Sequence, residues 1–218
     1  MTNTLEYILK KIKIIYDEGS LMPIEIPNVG RNNIPEWLNE LNFKTGVEIG
    51  VGAGEYGVIL AKTNPQMQFY GIDPWIPYEG GIEYVDAATL KKLYRKFKEV
   101  IAPYPNYKEI RKLSMDAVRD FPNESLDFVY IDANHSEPYI TQDITEWYKK
   151  LRVGGILSGH DYIQPARRGR KDFVCNVIDA TQRFIKEKNI RPWFILGLKA
   201  KGNGMVRDAT RSWMWVKS

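Results

Sequence analysis

The sequence predicts a doubly wound α/β fold: a mostly parallel sheet with helices on both faces and a helical extension at the N-terminus. Three observations predict it. From residue 44 onward, short apolar runs alternate with segments of helical spacing, the pattern of repeated strand-helix-strand units. A glycine-rich turn, VEIGVGAGEYG at 47–57, falls between one apolar run and the helical segment that follows. The last two apolar runs, 193–198 and 212–216, are separated only by loop residues including KGNG, so they should pair antiparallel at the end of the sheet.

The elements follow in order. Leu5, Ile8, Ile12 and Ile15 stand at helical spacing, which predicts an amphipathic helix over 4–17 ending near Gly19. Pro23, Pro27 and Gly30 predict an irregular stretch, and Pro35 opens a short helix over 35–41. Strands are then expected at 47–49, 68–72, 107–111, 126–131 and 155–158. The helices between and after them are expected at 56–63, 90–101, 139–151 and 173–188. Right-handed crossovers place these helices on both faces of the sheet. Residues 1–43 read as a helical extension or lid, and 44–218 as the ligand-binding domain.

Composition excludes other classes. Of 218 residues, 44% are hydrophobic and 27% charged, so the chain is neither disordered nor collagen-like, and one cysteine, Cys175, cannot form an internal disulfide. No apolar run reaches the roughly 18 residues of a membrane span, and the N-terminal residues show neither an uninterrupted apolar stretch nor a small-residue cleavage site, so a cytoplasmic protein without a membrane partner is expected. The net charge of +4 is too mild to imply nucleic acid, but 13 of the 31 basic residues lie in 162–218 against 4 acidic ones. Within that segment QPARRGRK, at 164–171, supplies four cations that can grip an anionic small molecule or form a solvated loop.

In an open parallel sheet the ligand lies beyond the carboxyl ends of the strands. Polar residues collect there: Glu48 and the glycines after the first strand, Asp73 after the second, Asp116 beyond the third, Asp132 after the fourth, and His160 with Asp161 after the fifth. Gly50, Gly52 and Gly54 allow a tight turn and close backbone approach. A carboxylate at Asp73 can accept hydrogen bonds from both ribose hydroxyls. Gly52, Gly54 and Gly57 also spell GxGxxG, with Asp73 nineteen residues after Gly54, so an NAD-dependent oxidoreductase stays open on spacing alone. Glu48 points elsewhere, because a carboxylate two residues before the first glycine suits a ligand with an ammonium group and no pyrophosphate. S-adenosylmethionine fits that description.

With VEIGVGAGE, YGIDPW and LSMDAV in place, the chain resembles the class I S-adenosylmethionine-dependent methyltransferases over about residues 44–218. The block VYIDANHSEPYITQDITEWYKKLRVGGILSGHDY, 129–162, is similar to the subgroup that includes sugar O-methyltransferases of antibiotic biosynthesis, the methyltransferase domain 24 type. The resemblance implies a Rossmann-like seven-stranded sheet of order 3-2-1-4-5-7-6. It places Glu48, Gly50, Gly52 and Gly54 around the methionine part of the cofactor and Asp73 on the ribose. Ser114, Met115 and Asp116 fall beside adenine, with Asp116 accepting from its exocyclic amine. Met115 also suits plain core filling, and Asp116 a helix N-cap. Several members hold a divalent metal at positions matching Asp132 and Asp161, so Mg²⁺ is an optional second cofactor, although this chain has His160-Asp161 where some members have adjacent aspartates.

Methyl transfer to a hydroxyl needs a positioned nucleophile and a base. The two histidines of the chain, His135 and His160, both follow strands at the active edge, and Asp132 and Asp161 can orient a histidine, take the proton or bind Mg²⁺. These four are the candidate catalytic residues, with Asp132 also facing the cofactor. Asp143 reads as a surface or structural acid. The acceptor is expected to be a small sugar or polyol, and the absence of an NPPY-like tetrapeptide argues against nucleic acid. A cofactor-binding domain without chemistry is the other alternative. Tyr78, Tyr84 and the N-terminal helix can form a lid, Trp75 is as suited to packing, and the helix stripe can instead seat a second copy in a homodimer.

Overall fold

The computed structural model describes residues 3–14, 16–17, 19–78, 86–163, 174–197 and 210–218. The loop 164–171, Tyr84 and the KGNG turn lie outside the described residues. The elements run α1 (Asn3–Ile12), β1 (Ile24–Ile26), α2 (Ile34–Glu40), β2 (Thr45–Ile49), α3 (Glu55–Thr63), β3 (Gln68–Ile72), α4 (Ala87–Ile101) and β4 (Tyr107–Ile110). They continue with α5 (Ser114–Ala117), β5 (Leu126–Ile131), α6 (Tyr139–Lys150), β6 (Leu151–Gly159), α7 (Val177–Lys188), β7 (Trp193–Leu196) and β8 (Ser212–Val216). Among the described residues eight strands form one sheet in the order β1-β7-β8-β6-β5-β2-β3-β4.

Apart from β1, this is the expected order, with β8 antiparallel to both β6 and β7. The eighth strand corrects the expected count of seven. The segment Ile24-Glu25-Ile26, expected to be irregular, pairs parallel with β7 at the sheet edge. Its two isoleucines are buried while Glu25 faces out, the period-2 alternation of a strand whose length is capped by Pro23 and Pro27.

Alternation along each strand divides the core into two. Val47, Ile49, Val129 and Ile131 face α6 and α7, while Phe69, Phe128 and Tyr130 face α2, α3 and α4. Glu48, between Val47 and Ile49, therefore projects to the second face. On the β8 side, Trp213 and Trp215 point the same way, with ring centroids 4.8 Å apart, and both are fully buried. Helix α1 turns its stripe inward: Ile8 is fully buried against its own chain, and Tyr7 and Lys11 bond to Glu40 of α2 at 2.5 and 2.7 Å. Of the predicted stripe, Ile8 is buried, Leu5 and Ile12 are half-buried, and Ile15 lies outside the described residues. No helix among the described residues is long and apolar enough to cross a membrane.

Candidate active site

The tips of β2, β3, β5 and β6 open on one cavity of about 1150 Å³. Its floor is the glycine turn. Gly50, at φ +85°, donates to Ile72 O at 2.9 Å, and a Cβ there would lie 2.1 Å from Asp132 O, so the turn lies hard against the chain leaving β5. Asp73 closes the turn: its Oδ2 accepts from the backbone N–H of Val51 at 3.1 Å and of Gly52 at 2.9 Å, and its Oδ1 from Trp75 at 2.8 Å. Burial raises the Asp73 carboxyl above its ordinary range, and these three N–H groups pull it back. The Trp75 indole donates to Gly52 O at 2.8 Å and stacks on Phe97 at 4.7 Å, so it packs and braces the turn at once.

Glu48 is 2% exposed and accepts from the Tyr107 hydroxyl at 2.5 Å. Tyr107 reaches it through a slot that Gly57 and Gly71 leave open, since a Cβ at either would strike its ring or hydroxyl. Burial pushes the Glu48 carboxyl up to about 8. The Tyr107 hydrogen bond opposes that shift, and nearby Asp132 adds to it. An ammonium group brought alongside would favour the ionised form.

At the opposite wall, four groups converge from β5 and β6. His135 Nε2 lies 3.4 Å from Asp132 Oδ1 and 3.3 Å from Asp161 Oδ2, and His135 and Asp161 are buried. His160 Nδ1 lies 3.7 and 3.8 Å from the same two oxygens, and Thr210 Oγ1 is 3.0 Å from its Nε2. Asp161 holds a left-handed backbone at φ +56°, a conformation Asp adopts more readily than most residues. One atom each from Asp132, His135 and Asp161 can be chosen so that all lie within 4.8 Å of one another. Their donor set of two carboxylates and one imidazole suits a first-row transition ion better than Mg²⁺, which takes oxygen ligands.

The structure brings together Glu48, Gly50, Gly52, Asp73, Ser114, Met115, Asp132, His135, His160 and Asp161 on this cavity. Two expected cofactor residues stand elsewhere. Gly54 begins α3 at φ +82° with its Cβ position 2.9 Å from Phe97, so it faces helix packing. Asp116 is exposed and lies 3.8 Å from Arg119, outside the cavity wall.

Sequence reasoning missed Arg31, and of its two readings of Asp143, surface or structural acid, the structure excludes the surface one. Arg31 arrives from the loop before α2, its Nη1 3.2 Å from Asp132 Oδ2 and its guanidinium 5.5 Å from the Tyr56 ring. A lone basic residue in an irregular segment carries no signal of that destination. Asp143 is buried and faces the cavity; it accepts from the Ser114 hydroxyl, which in turn accepts from Trp147 Nε1 at 2.8 Å. Desolvation raises its carboxyl to about 7, against the Ser114 hydrogen bond. A signal existed, because Ile140, Asp143, Ile144 and Trp147 fall on one helical stripe, which makes the acid an inward residue. Tyr78, a predicted lid residue, also lines the cavity, with its ring centroid 6.4 Å from that of Tyr139.

Comparison with known proteins bears on the family and the fold. Residues 47–162 match a family model described as a methyltransferase domain. No curated protein matches the chain significantly. Among solved structures, an O-methyltransferase from Bacillus cereus in complex with SAH is similar at 16% identity and TM-score 0.56, over 100% of this chain and 92% of that one. The O-methyltransferase TomG from Streptomyces achromogenes, involved in tomaymycin synthesis and solved with SAM, is similar at 13% identity and TM-score 0.56, over 99% and 97%. Spermidine synthase from Thermotoga maritima is similar at 15% identity and TM-score 0.57, over 87% of this chain and 58% of that one.

Proposed function

The chain belongs to the methyltransferase domain family, whose resemblance to class I S-adenosylmethionine-dependent enzymes its glycine turn already carried, and we propose that it methylates a hydroxyl oxygen of a small molecule. The observation that carries this reading is the continuity of one cavity from Glu48 and Asp73 to the histidine-carboxylate cluster. S-adenosylmethionine lies with its amino acid end by Glu48 and the glycine turn and its ribose on Asp73. Its sulfonium methyl then faces Asp132, His135, His160 and Asp161.

In this reading the acceptor oxygen attacks the methyl carbon in line as the carbon–sulfur bond breaks, and sulfur keeps the bonding pair as a neutral thioether. The hydroxyl proton passes to His160, the more open of the two histidines. Asp132 and Asp161 stabilise the imidazolium that forms, as carboxylates do in other histidine pairs. A divalent ion held by Asp132, His135 and Asp161 would acidify a bound hydroxyl. The protein's own contribution is to hold acceptor and methyl donor in line, which is a large share of the rate for a displacement of this kind. The acceptor is a sugar or polyol-like molecule.

Titration with S-adenosylhomocysteine and with NAD, followed by transfer of labelled methyl from S-adenosylmethionine to a panel of sugars and phenols, tests the reading. Binding of S-adenosylhomocysteine with methyl transfer to oxygen is the expected outcome. Binding of NAD alone would return the oxidoreductase reading, and cofactor binding without any transfer would leave a domain without chemistry. His160→Ala should keep cofactor affinity and lose turnover by about 10²-fold or more. Equal turnover would pass the proton to His135 or an aspartate.

A further inference from the structure

We propose that Arg31 is the resident cation of the carboxylate-histidine cluster: its guanidinium on Asp132 offsets the charge a divalent ion would neutralise, so the wild-type cluster binds such an ion weakly although its donor atoms are spaced for one. This rests on the reading above for the place of the chemistry and concerns the ion alone.

Spacing does not limit the cluster. His135 Nε2 stands 3.4 Å from Asp132 Oδ1 and 3.3 Å from Asp161 Oδ2. Ligand atoms about 2.0 to 2.1 Å from a tetrahedral first-row ion stand roughly 3.3 Å from one another, so the imidazole and the two carboxylates need little movement to share one. His135 and Asp161 are buried, which holds that arrangement in place.

Charge does limit it. Two carboxylates alone would compensate a divalent ion, but one of them already faces a guanidinium, with Arg31 Nη1 3.2 Å from Asp132 Oδ2. Among the described residues Arg31 is the one Arg or Lys within salt-bridge range of the cluster. A guanidinium cannot be deprotonated in a protein, so it cannot shed its charge to make room for the ion. Its backbone is also anchored. The Arg31 carbonyl accepts from the Tyr56 hydroxyl at 3.0 Å, and Gly30 N–H donates to Asn33 Oδ1 at 3.0 Å, closing the turn that carries it. The guanidinium lies over the Tyr56 ring, 5.5 Å from its centroid. An ion on Asp132 Oδ1 would therefore share a carboxylate with a fixed like charge, and the repulsion weakens its hold. Arg31 lines the cavity, so the positive charge an ion would bring to Asp132 comes instead from the chain.

The test is calorimetric titration of the untagged protein with Co²⁺, with visible absorption recorded on the same samples, for the wild type, Arg31→Gln, Arg31→Met and Arg31→Lys. Loss of the charge should tighten Co²⁺ by about 10-fold or more in Arg31→Gln and Arg31→Met, with the absorption bands of a coordinated ion. Arg31→Lys keeps the charge and should bind Co²⁺ much as the wild type does. Arg31→Met keeps an apolar stem on Tyr56, so it still reports where Arg31→Gln fails to fold, and thermal melts show which samples are folded. Adding Asp161→Asn to either neutral variant should abolish the gain, which places the ion on the cluster. Equal Co²⁺ affinity in the wild type and the neutral variants, an equal gain in Arg31→Lys, or a gain that survives Asp161→Asn overturns the proposal. S-adenosylhomocysteine titrated into the wild type separates the two readings: its failure to bind removes the methyltransferase reading, whereas the Co²⁺ outcomes decide the role of Arg31 alone.

Discussion

Arg31 and Asp132, 101 positions apart in the chain, meet in the site with Nη1 3.2 Å from Oδ2, so the segment before α2 supplies a cation to the cluster at the tip of β5. Arg31 is held from two sides, by its backbone carbonyl accepting from the Tyr56 hydroxyl at 3.0 Å and by its guanidinium over the Tyr56 ring. Both partners are partly exposed, so the pair contributes at most about 1 kcal/mol to stability. Its importance is positional. Arg31→Ala should shift Tm by only a few degrees yet lower kcat/KM by about 10-fold or more, with partial recovery in Arg31→Lys. Initial rates and thermal melts on the same samples check this, and full activity in Arg31→Ala would make the contact incidental.

Asp73 acts twice, closing the glycine turn and facing the cavity. Asp73→Ala removes three backbone hydrogen bonds and should cost about 1 to 3 kcal/mol of folding stability. It should weaken S-adenosylhomocysteine by a similar amount. Asp73→Asn, which retains one acceptor oxygen, should fall between. Chemical denaturation paired with calorimetry separates the two losses; unchanged cofactor affinity in Asp73→Ala would remove the ribose assignment.

Gly50 and Gly52 share a left-handed backbone but not their surroundings. A Cβ at Gly50 strikes Asp132 O, while at Gly52 nothing lies within 4 Å. Gly50→Ala should therefore destabilise by well over 1 kcal/mol or fail to fold. Gly52→Ala should pay only the left-handed conformational cost of roughly 1 to 2 kcal/mol and place its methyl in the cofactor's space. Expression yield, melts and S-adenosylhomocysteine affinity distinguish them, and a Gly52→Ala protein with normal affinity would contradict the placement of the cofactor.

Glu48 sets a pH dependence. Its carboxyl titrates near 8 in the fold and near its ordinary value unfolded, so the native state binds the extra proton between those limits. Its contribution to stability is full below the unfolded value and is lost as pH rises to about 8. Asp143, raised to about 7, adds a loss of the same sign. The ligand-free protein should melt lower at pH 8 than at pH 5, and Glu48→Gln should flatten that slope. S-adenosylhomocysteine affinity should rise over the same range as Glu48 ionises beside the ligand's ammonium group. Melts across pH for both proteins decide it; identical slopes would show that Glu48 does not carry the shift.

Much of this was legible in the sequence because it is local. Strand tips, the glycine turn and the order of charged residues after each strand depend on short-range pattern, and Glu48, Asp73, Asp132, His135, His160 and Asp161 all fall on the cavity. What escaped depends on distance or depth. Strand β1 is three residues long between prolines, and only pairing with β7 makes it a strand. Arg31 reaches the site across 101 positions, and the inward turn of Asp143 was written in α6's apolar stripe but looked like one more helix acid. Asp116 fit its motif, yet its side chain turns to solvent.

A crystal structure of the protein with S-adenosylhomocysteine bound tests the central claim most directly. The account predicts the ribose hydroxyls within hydrogen-bond distance of the Asp73 carboxylate and the thioether sulfur turned toward Asp132, His135, His160 and Asp161. A nucleoside seated away from Asp73, or a sulfur facing solvent with the histidines out of reach, would contradict it.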